Sequence, residues 1–314
     1  MAISDYDPSA AADPNAGIFG LPYSYEEAKL IYLSVPWEAT TSYGGGTVFG
    51  PQAIINASPQ MDIYDLDVQD PYRCGLHALP VSSEIMKDNE HAKGLAQSIK
   101  DAHGETKGNP FLQKSLQEVN ALSKKLNRYV FQEVSRILDD GKIAVLIGGD
   151  HSVPFGAFQA AAKKFGTFGI LHFDAHSDTR HSYMGFEHSH ASIMHNAATF
   201  IPEITQITQV GIRDFCDDEI QFTQSQGTRF KIFFDQHISD LKLRGKSFLE
   251  ITESILQSLP DKVWVSFDID GLDPRYCPHT GTPVPGGLEY AEAIFILKLL
   301  ARSGRTIIGF DLNE

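Results

Sequence analysis

The stretch His172-Phe173-Asp174-Ala175-His176-Ser177-Asp178 sets three good metal-binding side chains, Asp174, His176 and Asp178, at alternate positions directly after an apolar run. An extended backbone points residues i, i+2 and i+4 to one face, so the three converge. Two other stretches carry matching chemistry. Gly148-Gly149-Asp150-His151 offers an imidazole after a glycine turn, and Ser266-Phe267-Asp268-Ile269-Asp270 repeats the alternate carboxylates. Taken alone, His151 suits a structural hydrogen-bonding histidine, and Asp268 with Asp270 suits a helix cap or a calcium-like loop. Together the stretches gather four aspartates without a countercharge, and like charges a few ångströms apart cannot all stay ionised unless a cation sits among them. Two divalent ions answer this. Oxygen ligands with a few imidazoles suit manganese, iron, cobalt, nickel or zinc, and the absence of thiolates disfavours a soft-metal site. Shared carboxylates hold such a pair roughly 3.5–4 Å apart, and a water between the ions loses a proton near neutral pH. The expected chemistry is a metal-bound hydroxide aimed at an electrophilic carbon or phosphorus.

Such a cluster needs rigid elements beneath it. Leu30–Pro36, Ile143–Ile147, Phe168–Phe173, Ile207–Ile212, Phe230–Phe234, Val263–Phe267 and Thr306–Phe310 are short apolar, strand-like runs, several separated by helices such as Pro154–Phe165 and Tyr290–Ala301. The alternation predicts an α/β fold whose parallel sheet is covered on both faces. Ligands in such sheets collect beyond the carboxyl ends of the strands, where the three stretches lie. Leu116–Asp140 has a helical apolar period and ends at Gly141, a C-cap signal. Gly50-Pro51 reads as a helix opening. Residues 84–110 are polar and lysine-rich without a clear period, and read as an irregular insertion with one short helix. Gly44-Gly45-Gly46 implies unusual dihedrals or close backbone approach.

The totals narrow the function. With 26 Lys and Arg against 40 Asp and Glu, the formal charge of −14 argues against nucleic acid or an anionic membrane surface and suits a cationic substrate. Cys74, Cys216 and Cys277 are too few and scattered for a disulfide framework or a cysteine cage, which points to a reducing compartment. No signal peptide or membrane-length apolar run is present, so a cytoplasmic protein is expected. Residues 1–20, rich in Ala, Asp, Pro and Ser, read as a mobile arm ahead of a domain at 21–314.

Gly-Gly-Asp-His at 148–151, Asp-Ala-His-Ser-Asp at 174–178 and Ser-Phe-Asp-Ile-Asp-Gly-Leu-Asp-Pro at 266–274 resemble the three signatures of the ureohydrolases, the group of arginase, agmatinase, guanidinobutyrase, formiminoglutamase and guanidine hydrolase. The resemblance extends to Thr280-Gly281-Thr282-Pro283, Gly286-Gly287, Gly211-Ile212-Arg213 and Gly50-Pro51, and covers the chain from Leu30 onward. It implies a three-layer αβα domain with a mainly parallel eight-stranded sheet, assembled as a trimer or hexamer. One metal would take His151, Asp174, Asp178 and Asp268, and the other Asp174, His176, Asp268 and Asp270. The implied reaction is hydrolysis of a guanidino carbon–nitrogen bond. Glu314 would grip the substrate nitrogens and Asp178 would pass a proton to the leaving amine. His190 is the candidate second relay, with His188 and His181 as competitors; the alternative for each is a solvent-facing loop histidine.

Family members usually continue past the residue matching Glu314 with a loop and a closing helix, so a missing C-terminal end is expected. Many relatives have glycine at the position of His279, which places an extra imidazole near the site. The Tyr43–Thr47 loop departs from the more basic agmatinase pattern. The arm, the triple glycine, the insertion and Cys277-Pro278-His279-Thr280 are most similar to the branch that hydrolyses free guanidine to urea and ammonia, with nickel as its metal. Agmatinase is the alternative function, and manganese the alternative metal. A third reading is a ureohydrolase-like assembly or regulatory subunit without catalysis.

Overall fold

A computed structural model describes residues 6, 7, 9–11, 13 and 17–314. Among them the order is β1 (Leu30–Val35), α1 (Gly50–Ala57), β2 (Leu76–Ala78), α2 (Ser83–Asp101), α3 (Pro110–Asp139), β3 (Ile143–Gly148), α4 (Phe155–Phe165), β4 (Phe168–Phe173), α5 (Ile193–Phe200), β5 (Ile204–Ile212), α6 (Asp217–Ser225), β6 (Phe230–Phe234), α7 (Asp235–Leu243), α8 (Phe248–Gln257), β7 (Lys262–Asp268), α9 (Tyr290–Arg302) and β8 (Thr306–Asn313). The strands form one sheet in the order β2-β1-β3-β8-β7-β4-β5-β6, with every pair parallel. The last two strands insert between β3 and β4. The chain therefore leaves β3 in one direction across the sheet and β7 in the other, the arrangement that opens a crevice above the strand ends.

Alternation along each strand builds the two core layers. Ile170 and Trp264 pack with α3 and α4, while Leu171, Phe173, Val263, Val265 and Phe267 pack with α8 and α9. Each such fully buried side chain contributes roughly 1.5–3 kcal/mol relative to exposure. Register does the rest. Ile147 pairs with Leu312, Leu312 with Phe267 and Phe267 with Phe173, an apolar row across four central strands. One step further along the same strands come Gly148, Asn313, Asp268 and, past the end of β4, Asp174.

The predicted strands and helices are present, with three corrections. The one helix expected within residues 84–110 is long, not short, and only 102–109 are irregular: α2 runs 19 residues from a Ser82 N-cap and buries Ile85, Asn89, Ala92, Ala96 and Ile99. These recur every three or four residues, but two are alanines and one is polar, so the apolar period is hidden. The helix expected at Leu116 starts at Pro110, because Asn109 accepts hydrogen bonds from the amides of Phe111 and Leu112 and proline suits the first turn. Ile18 and Leu21 are buried with Tyr72 and Leu76, so packing begins before the boundary drawn at residue 20. Half of the proposed arm, residues 1–5, 8, 12 and 14–16, lies outside the described residues.

Candidate metal centre

Four strand ends deliver the cluster. Beyond β3 the chain turns through Gly149, where the Gly149 amide donates to the Val35 carbonyl and the Asp150 amide to the Trp37 carbonyl at 2.7 Å. A Cβ at Gly149 would lie 1.8 Å from the Trp37 oxygen, so glycine alone fits. Asp150 is fully buried and accepts from the Ser152 amide and hydroxyl at 3.0 and 2.5 Å, which makes it the fastener of this turn. Burial pushes its carboxyl up to about 6. The next residue, His151, points its ring back over the sheet.

His151 Nδ1 meets three carboxylate oxygens at once: Asp174 Oδ2 at 3.0 Å, Asp178 Oδ2 at 3.3 Å and Asp268 Oδ2 at 3.3 Å. Its Nε2 lies 2.9 Å from Ser266 Oγ, and Ser266 donates to Asp311 Oδ1 at 2.8 Å. An ionised carboxylate only accepts, so the Ser266 proton goes to Asp311 and the serine oxygen receives the Nε2 proton, which in the neutral ring leaves Nδ1 as the position for a cation, proton or metal. A lone pair among three carboxylate oxygens calls for a cation. His176 Nδ1 makes a second focus, 3.4 Å from Asp174 Oδ1 and 3.0 Å from Asp270 Oδ2. Asp174 thus presents one oxygen to each imidazole. The donor set, carboxylates and imidazoles without thiolate, fits two hard or borderline divalent ions.

The loop from Asp174 to Thr179 is fixed on every side. Ala175 donates to Asp270 Oδ1 at 2.9 Å, its carbonyl accepts from the Arg213 amide at 2.7 Å, and the Asp178 carbonyl accepts from Met194 and His195 at the start of α5. These contacts hold Asp178 at φ +54°, a left-handed conformation that aspartate tolerates better than most residues.

Electrostatics tell the same story. Burial and the neighbouring Asp174 charge push Asp178 up to about 8, and burial with Asp270 and Asp174 holds Asp268 well above the carboxylate range. Burial opposes charge on His176, but hydrogen bonds to Asp174 and Asp270 outweigh it and push the imidazole up to about 12. His151 is raised for the same reason despite its burial. Bare of metal, the cluster therefore retains protons where cations would sit.

All six residues expected as ligands come together here. Glu314, just past β8, accepts from the His151 amide through Oε1 at 3.0 Å. A cavity of about 190 Å³ opens onto His176 and Asp178, walled by Ser42, Tyr183, His190, Asp214 and Thr282. His190 Nε2 lies 3.4 Å from Ser42 Oγ, and burial beside His176 lowers its pKa to about 3. His188 and His181 are elsewhere: they line a different cavity of about 530 Å³ with His195 and Phe155. The extra imidazole expected near the site does not line the cleft; His279 is exposed, and Gly281 of the same loop faces Glu314 instead.

Sequence reasoning missed several neighbours. His172 Nε2 lies 2.8 Å from Asp174 Oδ2 and its Nδ1 3.0 Å from Gln209 Nε2. The alternate spacing that selected Asp174 and His176 extends back one step to His172 and was the available signal. Asp311 accepts from Trp264 Nε1 at 2.5 Å as well as from Ser266, a pairing between strands that no local pattern reveals. Arg180 also reaches the cleft, but its guanidinium sits 3.7 Å from buried Glu219 and over the Tyr183 ring, so its charge is compensated.

A parallel sheet with a two-focus carboxylate–imidazole cluster above its central strand ends defines an α/β protein with a candidate two-metal site. The model of the arginase family matches residues 28–314, and the chain belongs to that family, whose members are dinuclear-metal enzymes acting on guanidino groups. Among its relatives, an N(1)-aminopropylagmatine ureohydrolase of Thermus thermophilus is 30% identical over 291 residues, covering 92% of this chain and 83% of the relative. An agmatinase of Bacillus anthracis is 29% identical over 294 residues, covering 93% and 84%. The fold is shared with the agmatine ureohydrolase of Thermoplasma volcanium (TM-score 0.68, 23% identity, 99% and 87% covered) and with an arginase from Bacillus subtilis (TM-score 0.64, 21% identity, 91% and 90% covered). No helix among the described residues is long and apolar enough to cross a membrane.

Proposed function

We propose that this chain hydrolyses the guanidino carbon–nitrogen bond of a small cationic substrate and releases urea. The observation that carries the reading is the placement of His151 Nδ1 within 3.3 Å of oxygens of Asp174, Asp178 and Asp268, with Asp174 shared toward His176. Two divalent ions held by these residues with Asp270 would supply Lewis acidity and a water acidified to near neutral pH. The protein's own groups do the remainder. Guanidinium is a delocalised, poor electrophile that must be held planar against a carboxylate. Glu314 suits this, because its Oε1 is already fixed by the His151 amide and Oε2 remains for substrate. Addition of water at the central carbon leaves one nitrogen to depart as an amine, which needs a proton. Asp178, on the cleft floor, passes it, and His190 on the wall relays protons with the solvent.

For the substrate tail, two readings have separate support. Asp214 holds a 63% exposed carboxylate at the cleft, beside His176, and suits a distal ammonium such as that of agmatine; the names of the relatives agree. The cavity of only about 190 Å³ suits free guanidine, the substrate that the sequence resemblance favours, with nickel in place of manganese. Arg180 is tied to Glu219, so among the described residues that line the cleft no free guanidinium or ammonium awaits a substrate carboxylate. Urea release from guanidine, agmatine, arginine and guanidinobutyrate, each with manganese and with nickel, decides among them. Turnover of guanidine or agmatine is expected; no urea from any of the four, with two metals bound per chain, would overturn the function.

A further inference from the structure

Behind the cleft, α2 grips a single residue of the entrance loop twice. Asn89 Oδ1 accepts the Glu38 amide at 2.7 Å, and Lys93, one turn further on, pairs its ammonium with the Glu38 carboxylate. The Glu38 side chain is only 2% exposed, and its Oε2 accepts the amides of Gly46 at 2.6 Å and Val48 at 3.2 Å. The loop from 38 to 48 is thus tied shut by one carboxylate. Its first half is buried, with Thr40 held by Asp150 and Thr41 by the Glu38 carbonyl, but its three glycines have no side chains to pack and Gly46 stands at φ +118°, so the glycine half leans on this carboxylate.

The far side of this loop touches the proposed catalytic groups. Ser42 Oγ lies 3.4 Å from His190 Nε2, and Gly44 donates to the Gly281 carbonyl at 3.1 Å. Gly281 in turn backs Glu314, where a Cβ would come within 2.9 Å of Oε2. An exposed ion pair would matter little, because water competes for both partners. Here the carboxylate is withdrawn from water, and removing the ammonium leaves a buried charge whose easiest relief is to swing out with its loop.

We propose that Lys93, acting through Glu38, is a positioning residue that sets the entrance loop and so the affinity for substrate. The assignment rests on the proposed function for its kinetic half only. The test compares Lys93→Met and Lys93→Arg with the parent chain, all metal-loaded. In Lys93→Met, amide exchange across residues 43–49 should speed by about tenfold or more while 168–178 stays protected. KM for whichever guanidino compound is hydrolysed should rise about tenfold with kcat within about twofold and both metals retained, the signature of lost binding rather than lost chemistry. Lys93→Arg should restore both. Unchanged exchange in Lys93→Met would overturn the anchor, whether or not any guanidino compound is turned over. Faster exchange with unchanged KM, or loss of metal together with kcat, would overturn its role in substrate affinity.

Discussion

Asp174 offers its two oxygens in two directions, Oδ2 toward His151 at 3.0 Å and Oδ1 toward His176 at 3.4 Å, whereas Asp270 reaches His176 alone of the two imidazoles. A ligand shared by two ions must cost both when removed. Asp174→Ala is therefore expected to bind neither metal and to lose urea release by more than the roughly 100-fold typical of changes behind the ligands. Asp270→Ala should keep the ion at His151. Metal analysis of the purified variants checks both, and an Asp174→Ala protein that still carries two ions would rule out the shared role. These residues were visible in the sequence because alternate spacing on an extended chain is a geometric statement in itself. Ser266 and Asp311, which fix the proton on His151, were not: their contact joins β7 to β8 across 45 residues.

At the scale of elements, the cluster depends on the turn after β3 crossing close to the backbone after β1. Gly149→Ala places a methyl group 1.8 Å from the Trp37 carbonyl oxygen, and neither backbone can yield without breaking the Gly149–Val35 and Asp150–Trp37 hydrogen bonds. The variant is expected to lose about 3 kcal/mol or more, at or beyond the upper end for overpacking, and to bind metal poorly at the His151 side. Urea denaturation with metal analysis reads both effects; parental stability and two bound ions would show that the crossing is not needed. The helix α2 carries the opposite lesson. Its buried face of Ala92, Ala96 and Asn89 is legible only once α3 is seen against it, since small and polar residues have no hydrophobic period to detect.

The whole molecule should show the cluster in its pH dependence. In the metal-free protein burial and the Asp174 charge push Asp178 up to about 8 from 3.8, and hydrogen bonds to Asp174 and Asp270 outweigh burial and push His176 up to about 12 from 6.5. Both bind protons more tightly when folded, so their contribution is lost as pH rises toward the folded values. His190, lowered to about 3, is neutral when folded but still part-protonated unfolded near 6.5, so it opposes the trend up to roughly pH 7.5 and adds nothing above it. Metal-stripped protein is thus expected to show a Tm that falls between pH 6.5 and 9, while metal-loaded protein does not, because cations replace the protons. Calorimetry on the two forms decides it; a flat Tm in the stripped form would contradict the assigned charge balance.

From the sequence alone came the α/β alternation, the six candidate ligands and the family resemblance, because each is written in local spacing and residue type. Tertiary structure decided the strand order, the Ser266–Asp311 support of His151, the removal of His188 and His181 from the cleft, and the grip of α2 on Glu38. Those depend on which strands lie side by side and which way loops fold over them. That choice is set by packing between residues far apart in the chain, and no local pattern encodes it.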